Sequence, residues 1–315
     1  MVTPPPPTPT LPLEAPTTKR KRLASLDAFR GATIVGMILV NNPGTWASIY
    51  PPLRHASWHG WTPTDLVFPF FLFIVGVAIV FAYRTRMLRG DDRGPLVGKA
   101  AKRALWLFGL GILMAWFPFV GTEGSALDGI RGFERMRILG VLQRIAICYF
   151  AATLFYLFVS QKGRYWTVGV GLVAYALALV FIPVPDFGAG MIDVPEATLS
   201  AWLDRLILTP DHLWTGADRM WDPEGLLSTL PAIGTTLLGC WAGDVLASER
   251  TDLRKALGLF VGGFGLLVIG YCWSWILPLN KALWTPSYAV FTAGQAALCL
   301  GAFYWVMDLR RQTRW

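Results

Sequence analysis

The sequence predicts an all-α fold, a polytopic transmembrane helix bundle of about eight spans with one longer outer loop. Hydrophobic residues make up 54% of the chain and charged residues 15%, with 15 Trp and 19 Phe. This balance is typical of membrane proteins. Apolar runs of about 20 residues also recur along the chain, and each is long enough to cross the hydrocarbon core of a bilayer.

Eight apolar runs have the length of a membrane span. They cover, approximately, residues 26–46, 66–84, 101–119, 138–160, 165–183, 225–247, 256–277 and 286–307. Residues 1–22 are rich in Pro and Thr and end in four cations, a composition that cannot bury a core. We therefore predict a disordered cytoplasmic tail over 1–22 and one membrane domain over 23–315.

The cations predict the orientation of the bundle. With a cytoplasmic N-terminus, 19 of the 28 Lys and Arg fall on the inner side and 7 on the outer side, as the positive-inside rule requires. Both termini are then cytoplasmic, and the segment around His55 faces outward. The net charge of +8 follows this pattern, so we do not expect nucleic acid as a partner. The long outer segment 184–225 is acidic, which suits either a cationic acceptor or a simple solvated loop.

The polar segment between the first two runs holds His55 and His59. Imidazole is suited to proton transfer near neutral pH, which makes His55 a catalytic candidate. His59, four residues on, would share a face with His55 if the segment were helical. Because no nearby Cys or Glu completes a ligand set, we predict no metal site.

Asp65 has two interpretations. Thr62-Pro63-Thr64-Asp65 resembles a capping box, with Thr62 at the N-cap and Asp65 at the third helical position. This interpretation is favoured, and orientation of a histidine comes second. Asp222-Pro223-Glu224 has the same capping pattern before the sixth run.

Three other polar residues stand at the ends of runs. Asn41, just before Pro43-Gly44, is an ordinary helix terminator on composition, with an amide donor for an oxyanion as the alternative. Arg144 lies about one turn inside the fourth run, where a charge normally faces a partner or a cavity. Arg137 is interpreted as an interfacial, snorkelling cation.

Several ordered motifs resemble one family. They are Leu26–Gly31, Val40-Asn41, His55-Ala56-Ser57-Trp58, Asp65–Pro69, Gly140–Arg144, Asp204-Arg205-Leu206, Asp211-His212-Leu213, Asp222–Gly225 and Asn280–Trp284. Together they resemble the heparan-α-glucosaminide N-acetyltransferase family of multi-spanning membrane acyltransferases, over about residues 23 to 307.

The resemblance implies transfer of an acetyl group from cytoplasmic acetyl-CoA, as cosubstrate, to an amino sugar or another amine or hydroxyl acceptor on the outer face. The family's active-site histidine corresponds to His55 and its helper asparagine to Asn41, which reverses the preference for a terminator at Asn41. The predicted substrate-binding residues are Arg144, Asp65, His59 and His212. Two mechanisms remain open, an acetyl-histidine intermediate and direct transfer, and we favour His55 as a general base.

The segment from Asn41 to His55 contains Pro51-Pro52 and resembles the bacterial branch of the family. This implies the inner (plasma) membrane of a bacterium and an envelope sugar as acceptor. Family members continue through further helices, so C-terminal helices are expected to be absent here. The expected partners are membrane lipid, acetyl-CoA and the acceptor, with a homodimer as an open alternative to a monomer. A competing interpretation is a transporter or flippase for a lipid-linked or sugar substrate.

Overall fold

A computed structural model describes residues 23–45, 47–117 and 134–312. Over those residues the chain forms nine α-helices and no strand. They are α1 Ala24–Asn41, α2 Val67–Leu88, α3 Arg93–Trp116, α4 Val141–Phe158, α5 Gln161–Phe181, α6 Leu199–Leu208, α7 Thr229–Leu246, α8 Asp252–Trp273 and α9 Pro286–Phe303. The predicted tail over 1–22 lies outside the described residues.

The all-helical prediction is confirmed, but the count of about eight spans is not. Every helix except α6 has 18 residues or more and overlaps one predicted run. Five helical segments are both long and apolar enough to cross a membrane: Pro63–Leu88, Val141–Phe158, Gln161–Phe181, Asp252–Trp273 and Pro286–Leu309. Among the others, α3 contains four cations and α7 is rich in Thr and Gly, compositions that lower the mean hydropathy.

Helix α6 was missed in the long segment 184–225. Its Leu199, Ala201 and Asp204 are buried, whereas Leu206 and Ile207 are exposed. Thr198 caps the helix by accepting a hydrogen bond from the amide of Ala201 at 3.2 Å. An amphipathic helix of 10 residues is too short to be recognised as a span, and its presence shows that this segment is structured rather than an open loop.

Close backbone contact between α2 and α7 forms the centre of the bundle. A Cβ atom added to Gly76 would lie 1.9 Å from the carbonyl oxygen of Thr236, and one added to Gly239 would lie 2.1 Å from that of Phe73. Small residues allow membrane helices to approach in this way. Around these glycines, Leu72 and Phe73 are fully buried.

The polar connections converge at one end of the bundle, at the start of α2 and of α4. The indole of Trp58 donates to the carbonyl of Ile192 at 2.8 Å, and the amide of Gly60 donates to the carbonyl of Leu279 at 2.7 Å. The amide of Ile138 donates to the carbonyl of His212 at 3.2 Å. The segments that the cation pattern predicts to be outer thus meet at a single surface.

Candidate active site

A cavity of about 500 Å³ opens at this end of the bundle. It is lined by the end of α1, the segment around His55, the start of α2, the residues before α4, the 214–224 segment and the connection between α8 and α9. Its polar lining includes Asn41, His55, Asp65, Arg137, Glu224 and Lys281. Three tryptophans, Trp58, Trp214 and Trp221, also line it. Such a mixture of aromatic surface and a few polar groups is typical of a ligand site.

His55 is paired with Asp65 at the wall of this cavity. Nδ1 of His55 lies 2.6 Å from Oδ1 of Asp65. The Asp65 side chain is 1% exposed and that of His55 is 45% exposed, so a buried carboxylate holds an imidazole that faces open space. Since an ionised carboxylate only accepts, Nδ1 of His55 carries the hydrogen and Nε2 is the basic nitrogen.

The second oxygen of Asp65 caps a helix. Oδ2 accepts from the amide of Thr62 at 3.1 Å and from the amide of Ala56 at 3.0 Å. Thr62 and Asp65 form the predicted capping box at the 3-10 turn Pro63–Leu66 that leads into α2. The sequence allows Asp65 either to cap the helix or to orient His55. In the structure it does both, because Oδ2 makes the cap and Oδ1 pairs with His55.

Lys281 contributes a cation to the same pair. Its Nζ lies 3.3 Å from Oδ1 of Asp65 and 3.1 Å from Nδ1 of His55. Because the hydrogen of Nδ1 is donated to Asp65, the ammonium group acts as a second donor to Oδ1. Sequence reasoning counted Lys281 among the outer cations and within a family motif but gave it no role in the site, since its contact spans 216 positions from Asp65.

Asn41 is the last residue of α1 and lines the cavity. Its Nδ2 donates to the carbonyl of Met37 at 3.0 Å, one turn earlier. This is the helix-terminating contact expected from composition. The amide group has a second N–H and a carbonyl oxygen, so this bond still leaves groups that can interact with a ligand.

Arg137 was interpreted as a snorkelling interfacial cation, and the structure shows otherwise. Its guanidinium group donates to Asp222, with an Nε–Oδ2 distance of 2.8 Å, and to Glu224. Burial opposes its charge, but the hydrogen bond to Asp222 and the negative charge of Glu224 outweigh this effect and raise the pKa of Arg137. Asp222 and Glu224 are buried and do not cap α7, whose N-cap is Ser228.

Residues 22–261 match the family described as heparan-alpha-glucosaminide N-acetyltransferase, catalytic. The chain belongs to this family. It is 30% identical to the human heparan-alpha-glucosaminide N-acetyltransferase over 92% of this chain and 49% of the human protein. It is 28% identical to the mouse protein of the same name over 94% of this chain and 51% of that protein. The chain thus spans about half the length of these curated relatives.

Three of the predicted substrate-binding residues, His59, His212 and Arg144, do not line the cavity. His59 is held on both sides, with Nε2 2.9 Å from Oδ1 of Asp193 and Nδ1 3.3 Å from Nδ2 of Asn280. The segment from His55 to Gly60 is not helical, so the two histidines do not share a helical face. Nδ1 of His212 lies 2.8 Å from the carbonyl oxygen of Met136.

Arg144 is 1% exposed and lies inside the bundle rather than at the cavity wall. Its Nη2 donates to the carbonyl of Gly225 at 3.0 Å and to the hydroxyl of Ser228, and its guanidinium lies over the ring of Trp284 at 5.3 Å. The partner expected for a buried charge is therefore the turn that follows Glu224. Arg144 holds this turn through the carbonyl of Gly225 and the hydroxyl of Ser228.

Sequence reasoning did not place Lys281, Arg137, Glu224, Trp214 or Trp221 at this cavity. Two signals were available. Lys281 and Glu224 both lie in motifs that carry the family resemblance. The segment 214–221 holds two tryptophans, Trp214 and Trp221, within eight residues. Within the residues that the structure describes, no cluster of three His, Cys, Asp or Glu side chains suitable for a metal ion is present.

Proposed function

We propose that this chain is a membrane acetyltransferase that moves an acetyl group from cytoplasmic acetyl-CoA to an amino sugar at the outer face. The observation that carries the proposal is the 2.6 Å pairing of His55 with the buried Asp65 at the wall of a ligand-sized cavity. A carboxylate that fixes the tautomer of a half-exposed imidazole is the arrangement that a general base needs. Family membership supplies the reaction class.

In the proposed reaction, Nε2 of His55 accepts a proton from the acceptor amine as the nitrogen attacks the thioester carbonyl. A new C–N bond forms, the C–S bond breaks, and the thiolate of coenzyme A leaves and takes up the proton held by Nε2, which restores the neutral imidazole. Asp65 stays ionised and stabilises the imidazolium that forms. This direct transfer needs one base and no covalent enzyme intermediate.

We propose that Asn41 donates its remaining amide N–H to the carbonyl oxygen, where negative charge develops during attack. A preorganised donor of this kind is worth ~2.7–4 kcal/mol of transition-state stabilisation in well-studied enzymes. The bond from Asn41 to Met37 supports this role, because it fixes the amide at the cavity edge before a ligand binds.

The proposed placement has both termini in the cytoplasm and the cavity at the outer face of a bacterial inner membrane. The cation distribution supports it, as does the convergence of the predicted outer segments at the cavity. The acyl group, carried on the pantetheine arm of the donor, must then cross ~30 Å of hydrocarbon thickness to reach His55.

The test is acetyl transfer from radiolabelled acetyl-CoA to glucosamine by the detergent-purified chain. We expect His55→Ala to lower the rate by about 10²–10⁴-fold, the usual contribution of a general base. His212→Ala is the matched control, because it removes a histidine outside the cavity, and it should retain most of the activity. Equal rates in the parent and in folded His55→Ala would rule out the proposed role of His55.

A further inference from the structure

Three indole rings lie in series along the cavity wall. The rings of Trp58 and Trp221 have centroids 5.1 Å apart at 73°, and those of Trp221 and Trp214 have centroids 5.3 Å apart at 67°. All three residues line the cavity. Trp221 is the central ring and contacts both others edge to face, so the three form one aromatic cluster at the cavity, called here the tryptophan wall.

The tryptophan wall is fixed in place by the fold. The indole N–H of Trp58 is bound to the carbonyl of Ile192 at 2.8 Å. The ring of Trp214 lies directly over Gly216, where an added Cβ would come within 2.4 Å of the indole. Glycine at 216 is therefore required for the observed position of Trp214, which indicates a preorganised surface rather than three adaptable side chains.

Two ordinary roles of tryptophan do not account for the wall. Core packing is the role of Trp284, which is fully buried with its indole N–H bound to Thr235, whereas the wall residues are only partly buried and face a cavity. Anchoring in the membrane interface requires rings that face lipid. Ligand contact is the role that remains for rings gathered on the inside of a ligand-sized space.

Polar groups suited to hydroxyls stand beside the wall. Glu224 lines the same cavity next to Pro223 and Trp221, and its carboxylate is held by Arg137. A pyranose ring has one face of C–H groups and a rim of hydroxyls, so it matches an aromatic surface flanked by a carboxylate and a guanidinium. A short linear amine would leave most of the aromatic surface uncovered.

We propose that Trp58, Trp221 and Trp214 form the acceptor subsite, in which a pyranose ring stacks on the wall while its amino group points to His55. This inference rests on the proposed function and deepens it by naming the residues that recognise the sugar ring of the acceptor. The wall starts three residues from His55, at Trp58, so ring and base belong to one continuous surface.

Direct binding tests the subsite without relying on catalysis. Radiolabelled glucosamine is titrated into the full chain in detergent, with ethanolamine as an acyclic competitor. We expect Trp221→Leu to weaken glucosamine binding about tenfold or more, the usual effect of truncating a central aromatic contact, and Trp221→Phe to retain most of it. Gly216→Ala should also weaken binding, because it displaces Trp214. Trp166→Ala, on the exposed face of α5, is the control and should bind like the parent.

The outcomes separate the two proposals. Glucosamine binding that depends on Trp221 but not on His55 supports the subsite even if no acetyl group is transferred. Absence of glucosamine binding to the parent overturns the subsite, as does equal competition by ethanolamine. Weaker binding of acetyl-CoA by Trp221→Leu, with glucosamine binding unchanged, would assign the wall to the donor and also overturn the inference.

Discussion

One carboxylate oxygen of Asp65 pairs with His55, and the other caps the helical turn in which Asp65 lies. Oδ1 lies 2.6 Å from Nδ1 of His55, while Oδ2 accepts from the amides of Ala56 and Thr62. The start of α2 therefore fixes the carboxylate, and the carboxylate fixes the imidazole. Helix capping thus positions the proposed base, because the same Asp65 side chain makes the cap and orients His55.

Replacing Asp65 by Asn and by Ala should separate these two roles. Asn keeps an acceptor for the cap but presents an N–H to Nδ1 of His55, which selects the other tautomer and removes the basic Nε2. We expect Asp65→Asn to lower acetyl transfer by about 10²–10⁴-fold with a nearly unchanged melting temperature. Asp65→Ala should lose the activity and also about 1 kcal/mol of stability.

The measurements are the transfer rate and thermal unfolding of both variants in the same detergent. Equal melting temperatures for Asp65→Asn and Asp65→Ala would contradict the capping role. Full activity of Asp65→Asn would contradict the orienting role.

The sequence was sufficient for the eight longer helices and for naming both members of the His55–Asp65 pair. Apolar run length located every helix of 18 residues or more, and local pattern identified the Thr62–Asp65 cap. Contacts between distant segments were not accessible in this way. Lys281 reaches Asp65, and Arg137 reaches Asp222 and Glu224, through packing of helices far apart in the chain, and local periodicity carries no information on which loops meet. Helix α6 was missed because a short amphipathic helix has neither the length nor the hydropathy of a span.

Arg137 should be more important for stability than a surface cation. It pairs with the buried carboxylates of Asp222 and Glu224, and its loss removes the ion pair of each. We expect Arg137→Gln to cost about 3–5 kcal/mol, the usual penalty for breaking a buried ion pair on one side. Thermal unfolding checks this value. The double variant Arg137→Gln/Asp222→Asn should recover part of the lost free energy of unfolding, because it removes the buried negative charge of Asp222. A double variant less stable than the single one would contradict this account.

The contact of α2 with α7 should not tolerate a methyl group at Gly239. A Cβ there would lie 2.1 Å from the carbonyl oxygen of Phe73, a backbone atom that cannot move aside alone. We expect Gly239→Ala to cost about 1–3 kcal/mol through separation of the helices. Gly169→Ala in α5 is the matched control, since no atom lies within 4 Å of its added Cβ. It should be neutral or stabilising in thermal unfolding, and an equal loss in both variants would show that the close contact is unimportant.

Asp204 in α6 should make the stability of the bundle end depend on pH. Its side chain is fully buried; Oδ1 accepts from the amide of Leu226 at 2.8 Å, and no hydrogen-bond partner for Oδ2 lies among the described residues. Burial raises the pKa of Asp204 from 3.8 to about 7, and the charge of Asp222 adds to this effect. The folded state thus binds the proton more tightly than the unfolded state. Its contribution to stability is complete below pH 3.8 and is lost as the pH rises towards about 7.

Asp204→Asn should abolish this dependence, because the amide keeps an acceptor for Leu226 and never ionises. At pH 8 we expect the variant to unfold at a higher temperature than the parent, with a gain of up to ~4 kcal/mol for a shift of this size, whereas at pH 4 the two should nearly coincide. Thermal unfolding of both proteins at the two pH values is the measurement. A constant difference between them would mean that Asp204 is ionised to the same extent in the folded and unfolded states. In that case burial does not raise the pKa of Asp204.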